Sequence, residues 1–224
     1  MENESGFVAV IPDIKPVSPK EGDLFKGRDP ANTAKHLVSI GAPVLSVVTQ
    51  RKNFGGSPGL LSAVIAKAGV PVLRKDFITS EDMLKETAEL GADAVLIICA
   101  VIDEKRLNAL YEKSLALGLE PLVEVASKRE IEWAKKLGAK LIGINNRDIV
   151  SLEKDGGGPS KTAELASSLK PGTMFISESG IQTPKDAKTA ANAGASAVLV
   201  GTALWLSENM GETYRKLRVP YGVK

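Results

Sequence analysis

The sequence predicts an α/β fold, a (β/α)8 barrel of the TIM type, built as one domain over residues 1–224. Three observations carry that expectation. Eight short apolar, β-prone runs alternate with eight helical patterns at spacings of about 20 to 34 residues, the count such a barrel needs. Most helical patterns open on a capping residue and end on glycine just before the next apolar run. Charged and amide side chains gather at the C-terminal ends of five of those runs. Length agrees, since parallel α/β barrels often run ~200–250 residues as one domain. A doubly wound open sheet is the alternative for the same elements, but it reverses strand order at one crevice and needs fewer strands.

Taken in order, strands are expected near residues 7–14, 43–49, 70–75, 94–99, 119–125, 140–145, 173–177 and 196–200. Helices are expected near 30–40, 58–68, 80–90, 104–117, 128–137, 160–169, 184–193 and 203–217. Asp29 before Pro30 and Ser57 before Pro58 put an N-cap side chain ahead of a proline, which the first helical position tolerates,. Ser127 with Glu130, and Thr183 with Asp186, have the spacing of a capping box,. Glycines such as Gly69 and Gly138 stand where a left-handed C-terminal cap is required,.

The chemistry is expected at the strand ends. Val70 to Phe77 opens apolar and turns charged at Arg74-Lys75-Asp76, with Thr79, Ser80 and Glu81 starting a helix after it,. Side chains alternate along a strand, so Leu73 and Lys75 share one face while Val72 and Arg74 share the other. In a closed barrel one face points at the axis, and the C-terminal strand ends hold the active site. A single lysine there could equally be a solvated residue at a loop start. The pattern recurs, however: Ile11, Asp13 and Lys15 share a parity, Glu124 shares that of Leu122, Asn145 that of Arg147, and the seventh strand ends in Glu178. Burying charges costs several kcal/mol unless they are paired or hydrogen-bonded. One such case could be a structural ion pair. Lys15, Lys75 and Arg147 converging with Asp13, Glu124 and Glu178 on one mouth point instead to proton transfer,. The last two strands end in Ser179-Gly180 and Gly201-Thr202, small enough for backbone N–H groups to approach an anion,. Tight turns also favour small residues. Barrels frequently hold a phosphate at this pair of loops, beside a helix start, and Lys15 on the neighbouring first strand favours that use.

Composition excludes several other classes. Twenty-nine basic against 27 acidic side chains leave +2, which implies neither a nucleic-acid nor a membrane partner,. The longest apolar run, Ala94 to Ile102, is far short of the ~20 residues of a membrane span,. No basic stretch followed by an apolar run opens the chain, so no signal peptide is expected and the cytoplasm is the expected location,. Cys99 sits in an apolar run and reads as a small buried hydrophobe, and His36 stands apart from other ligand types, so no metal site is expected,.

From about Val10 to Leu204 the chain resembles the indole-3-glycerol phosphate synthase family. The likeness rests on Ile14-Lys15 followed by Ser18-Pro19, Leu45 to Thr49, Phe54-Gly55-Gly56-Ser57, Val72 to Phe77, Pro121 to Val125, Gly143 to Asp148, Ser177 to Ile181 and Val200 to Leu204, in the family's order. The resemblance implies closure of an indole ring on 1-(2-carboxyphenylamino)-1-deoxyribulose 5-phosphate, with loss of carbon dioxide and water and no metal or cofactor. It implies Lys75 as general acid, Glu124 in proton transfer during dehydration, and Lys15 bridging the phosphate and the reacting groups. Asp13, Asn145 and Glu178 would complete the catalytic set. Phe54 and Phe77 would flank the aromatic ring, Arg147 would pair with a carboxylate, Ser179, Gly180, Gly201 and Thr202 would contact the phosphate, and Ser18 and Leu96 would also bind substrate. The partner would be a small sugar phosphate, the chain a monomer or weak homodimer. Three departures stand out. Asp13 replaces the family's usual glutamate, retracting the carboxylate by about 1.5 Å,. The family's N-terminal extension is not expected here, because the first strand begins almost at once. Gly156-Gly157-Gly158-Pro159 lengthens the connection after strand six, which reads as a tolerated surface insertion or else a mobile lid,. A synthase-like paralogue binding or acting on another sugar phosphate is therefore the alternative. Phosphoribosylanthranilate isomerase shares the barrel but needs a cysteine and aspartate pair, which Cys99, mid-chain in an apolar run, does not suit.

Overall fold

In a computed structural model, which describes residues 6–150, 152 and 156–222, the apolar runs form eight parallel strands closed into a barrel. They are β1 (Ala9–Ile14), β2 (Leu45–Val48), β3 (Val72–Lys75), β4 (Ala94–Ile98), β5 (Glu120–Val125), β6 (Leu141–Asn145), β7 (Met174–Glu178) and β8 (Ala197–Val200). Each strand pairs with its sequence neighbours, and β1 closes the ring by pairing Pro12 with Val200 of β8. The open-sheet alternative is thereby excluded. Helices α1 (Pro30–Ser39), α2 (Pro58–Ala68), α3 (Glu81–Glu89), α4 (Glu104–Ala116), α5 (Lys128–Leu137), α6 (Ser160–Ala166), α7 (Pro184–Asn192) and α8 (Met210–Leu217) follow the strands in turn. Asp29, Ser57 and Ser127 each accept a backbone N–H of the first turn, and Thr183 with Asp186 makes the full capping box; at Ser127 the box does not close, because Glu130 accepts the N–H of Ala126 instead. Gly69 and Gly138 take the left-handed conformation that ends their helices, at φ 66° and 71°,.

Strand alternation divides the core in two. Val10, Ile14, Val47, Val72, Val95, Val123, Ile142, Ile144 and Val198 pack outward beneath the helices. Ile11, Val48, Leu73, Leu96, Ile98, Leu122, Ile176 and Leu199 fill the barrel axis. Each buried side chain of this size contributes about 1.5–3 kcal/mol. The axial layer is also the platform of the site, because Asp13, Lys75, Glu124 and Glu178 lie two residues beyond Ile11, Leu73, Leu122 and Ile176 on the same face,. Among the described residues no helix is long and apolar enough to cross a membrane.

Several boundaries differ from expectation for local reasons. The first strand starts at Ala9, because Phe7 bridges Pro220 instead and stays 44% exposed. The single helix expected over 203–217 is two, Thr202–Trp205 and α8. Ser207 accepts the Asn209 N–H and Asn209 accepts that of Glu212, so these side chains end one helix and cap the next,. A helical turn at Arg51–Phe54 and a small antiparallel ribbon, Val17–Ser18 against Gly22–Asp23, have no counterpart in the sequence expectation. The glycine-rich stretch after β6 is not a free surface insertion: Pro159 is buried, and the Gly157 carbonyl lies so close to Gly180 that a Cβ there would collide with it.

Candidate active site

The floor of the barrel mouth consists of Glu124, Asn145 and Glu178, each no more than 1% exposed. Strand register brings them together, since Ile98 pairs with Glu124, Glu124 with Gly143, and Asn145 with Glu178. Asn145 Nδ2 donates to Glu124 Oε1 at 3.0 Å, while its Oδ1 accepts the Arg147 N–H at 3.0 Å. The amide is therefore held from both ends, and it holds one carboxylate oxygen in turn. Gly143 makes room for the other acid, because a Cβ on Gly143 would collide with Glu178 Oε1. Lys75 reaches down to Glu178, with Nζ 3.9 Å from Oε2. That ion pair spans the axis from β3 to β7.

The wall above is mixed. Lys15 Nζ stands 5.8 Å over the Phe54 ring, a cation–π distance. Asp13 Oδ1 accepts a 2.7 Å hydrogen bond from Ser46 Oγ on β2, and both side chains are buried. The Asp13 carbonyl accepts from Trp205 Nε1 at 2.8 Å, tying the end of β1 to the helical turn after β8. Trp205 packs against Phe25 with centroids 4.5 Å apart and rings tilted by 46°, and the Arg28 guanidinium lies 5.2 Å from the Trp205 ring centroid while donating to the carbonyls of Leu24, Phe25 and Trp205. Behind the cavity, Arg74 faces outward from β3 and donates to Thr49 and Thr87 while pairing with Glu86 at 2.7 Å. Thr49 donates in turn to Asp76, which also accepts the Phe77 N–H.

Above the floor is a cavity with an empty volume of about 710 Å³, a figure that includes space open to solvent. Asp13, Lys15, Phe54, Lys75, Phe77 and Leu96 line one side of it. Arg147, Ser179, Gly180, Gly201 and Thr202 line the other. Arg147 Nε is buried there with no hydrogen-bond partner among the described residues. The helical turn after Gly201 spans only Thr202–Trp205, so any anion at this rim would be met by backbone N–H groups rather than by the dipole of a long helix.

Four expected residues are not among those lining the cavity: Glu124, Asn145 and Glu178 are buried at their strand ends, and Ser18 lies elsewhere. Ser18 is buried in the ribbon, where its Oγ accepts the N–H groups of Lys20 and Glu21, and it does not line the cavity. Gln50, Asp76, Ile149 and Gln182 do line it and were not anticipated. All four follow strand ends, in stretches where two-residue alternation no longer says which way a side chain points. Ile98 was legible in principle, since it shares the parity of Leu96. Cys99 is 2% exposed beyond β4, and burial, with Glu130 and Glu124 adding to it, pushes its thiol far up.

Residues 1–217 match the sequence model of the family described as indole-3-glycerol phosphate synthase. An indole-3-glycerol phosphate synthase of Pyrococcus furiosus is 42% identical over 207 residues, covering 92% of this chain and 90% of that protein. One of Carboxydothermus hydrogenoformans is 39% identical over 217 residues, covering 96% and 81%. One of Chlorobium luteolum is 38% identical over 210 residues, covering 94% and 79%. With a closed barrel, cations and carboxylates at its mouth and a family match along nearly its whole length, the chain belongs to the indole-3-glycerol phosphate synthase family.

Proposed function

We propose that this barrel closes the indole ring of indole-3-glycerol phosphate from 1-(2-carboxyphenylamino)-1-deoxyribulose 5-phosphate, releasing carbon dioxide and water as a carboxy-lyase of tryptophan biosynthesis. The observation that carries the proposal is the convergence of Lys15, Lys75 and Arg147 on one cavity, over buried Glu124 and Glu178 and beside Phe54 and Phe77.

The chemistry follows from those groups. Lys75 protonates the substrate's ketone oxygen as the ring carbon bearing the carboxylate attacks the ketone carbon, forming the new carbon–carbon bond. That ring carbon then releases its carboxylate as carbon dioxide and the ring regains its aromaticity. Lys75, reprotonated from solvent, gives the former ketone oxygen its second proton, the C–O bond breaks to release water, and Glu124 accepts the proton lost from the adjacent CH2 carbon that bears the nitrogen. Glu124 and Glu178 stabilise the cation that builds up on the anilinic nitrogen. Glu178 also holds the Lys75 ammonium, supported by their 3.9 Å approach. Asn145 orients Glu124 and the substrate hydroxyls. Arg147 pairs with the substrate carboxylate, which the buried Nε supports. Phe54, Phe77 and Leu96 flank the aromatic ring, with Asp13 and Lys15 beside the reacting centre. Ser179, Gly180, Gly201 and Thr202 take the phosphate within reach of Lys15. No step transfers electrons to or from an outside carrier, so the sequence of bonds needs no redox cofactor.

The partner is a small phosphate ester. We further infer a cytoplasmic monomer or weak homodimer, and a net charge of +2 offers no hold on nucleic acid or an anionic membrane,. Incubation with the carboxyphenylamino-deoxyribulose phosphate, followed by indole fluorescence, tests the proposal. A second reading, a paralogue acting on another sugar phosphate, draws on Asp13, whose carboxylate is shorter than the family's and turned to Ser46. No indole at high enzyme concentration would transfer the weight to it.

A further inference from the structure

Asn146 follows Asn145 at the end of β6 and, like it, does not line the cavity. It is 2% exposed, and Thr162 and Ser177 beside it are fully buried. Thr162 donates both its N–H, at 3.0 Å, and its Oγ1, at 2.7 Å, to Asn146 Oδ1. Those two bonds settle the amide's orientation, leaving Nδ2 as donor. Nδ2 lies 3.0 Å from Ser177 Oγ, 2.9 Å from the Glu178 carbonyl and 2.9 Å from the Ser179 carbonyl. Ser177 Oγ is in turn 2.7 Å from Thr162 Oγ1. With Thr162 donating to Asn146, Ser177 donates to Thr162 and accepts from Asn146, so the three side chains close a ring in which every bond polarises the next.

This ring grips an unusual piece of backbone. Ser179 has φ 61° and Gly180 φ 70°, two successive residues in a region L side chains rarely adopt,. Glycine accepts that conformation readily; Ser179 needs its surroundings to impose it. Asn146 joins three elements at this point: the end of β6, the first turn of α6 through Thr162, and the turn after β7 through Ser179. The Gly157 carbonyl and Gly158 Cα occupy the place a Cβ on Gly180 would need.

We propose that Asn146 is a positioning residue for the phosphate. It holds the Ser179–Gly180 turn in its left-handed form, so that the backbone N–H groups are set for the anion before it arrives. The inference rests on the assignment of the substrate phosphate to this turn. It concerns binding and not bond-making, because the Asn146 main-chain N–H also donates to the Glu178 carbonyl, at 2.9 Å, and that bond survives any change of side chain. The end of β7 and the Glu178 carboxylate therefore stay in place when the amide is removed.

The test measures affinity for inorganic phosphate by calorimetry, and KM and kcat by indole fluorescence, in the wild type, Asn146→Ala and Asn146→Ser. Removing a buried donor is expected to raise both the phosphate Kd and KM about tenfold, with kcat within about twofold. Asn146→Ser, which keeps a hydroxyl, should fall between the two, and it replaces the alanine variant should that fail to fold. In a Ser179→Gly background, where the turn needs no clip, Asn146→Ala should change the phosphate Kd by less than about threefold. A folded Asn146 variant with wild-type phosphate affinity overturns the proposal, as does a loss of kcat with phosphate affinity unchanged. Wild-type protein that binds no phosphate overturns the phosphate assignment itself, and the inference with it.

Discussion

Asp13→Glu asks whether the first-strand carboxylate is held too far back for ring closure. Asp13 is 3% exposed and its Oδ1 accepts 2.7 Å from Ser46 Oγ. On the opposite side a Cβ placed on Gly201 would stand 3.2 Å from Asp13 Cβ and 3.3 Å from Oδ2. Neighbours therefore close off both flanks, and the cavity that Asp13 lines is the direction left for a longer side chain. One added methylene carries the carboxylate about 1.5 Å that way. A misplacement of about 1 Å can cost on the order of a hundredfold in rate, so the expected gain in kcat/KM is about ten- to a hundredfold. The Ser46 hydrogen bond is lost in exchange, at about 1 kcal/mol, which lowers Tm by about 2–4 °C for a chain of this length. Initial rates of indole formation against substrate concentration, with a thermal melt on the same preparation, measure both quantities. A fall in kcat/KM with Tm inside that window refutes the reasoning. It would show a strand end fitted around the shorter carboxylate, where an extra methylene overpacks the mouth.

On the proposed mechanism Lys75→Met removes the group that protonates the ketone oxygen, so kcat should fall at least about a hundredfold with KM little changed; a defect in KM alone would make Lys75 a binding residue. Gly143→Ala puts a methyl group onto Glu178 Oε1 and 3.5 Å from Leu122 Cδ1, and should cost about 1–3 kcal/mol of stability while lowering kcat through the displaced acid; wild-type kinetics would mean Glu178 has no fixed place in the reaction. The buried Cys99 thiol, pushed far up, should not react with an aromatic disulfide reagent in the native protein at about pH 8, and should give one equivalent after denaturation,. Because the folded protein keeps that proton while the unfolded thiol ionises near ~8.5, Cys99 contributes a fall in stability as pH rises above that value; denaturant midpoints across the range should drop more steeply for wild type than for Cys99→Ala.

The barrel was legible because its signals are local. Val72-Leu73-Arg74-Lys75 declares both faces of β3 by alternation, and the structure puts Leu73 on the axis and Arg74 against Glu86 and Thr87 of α3. The same parity, repeated at Asp13, Glu124 and Glu178, points at one mouth before any strand has been paired, and caps such as Asp29 and Thr183 mark helix starts from two or three adjacent residues. What that information lacks is distance across the chain. That Ser46 meets Asp13, 33 positions away, follows from the β1–β2 register, and that Trp205 meets the Asp13 carbonyl, 192 positions away, follows from closure of the ring. Ser18 turns into its own ribbon, and Asn146 spans β6, α6 and the turn after β7, because hydrogen bonds formed after the loops fold back choose among directions that alternation leaves open. Periodicity assigns a side chain to a face, but register and loop closure assign it a partner, and here the partners separate the groups lining the cavity from those that hold them in place.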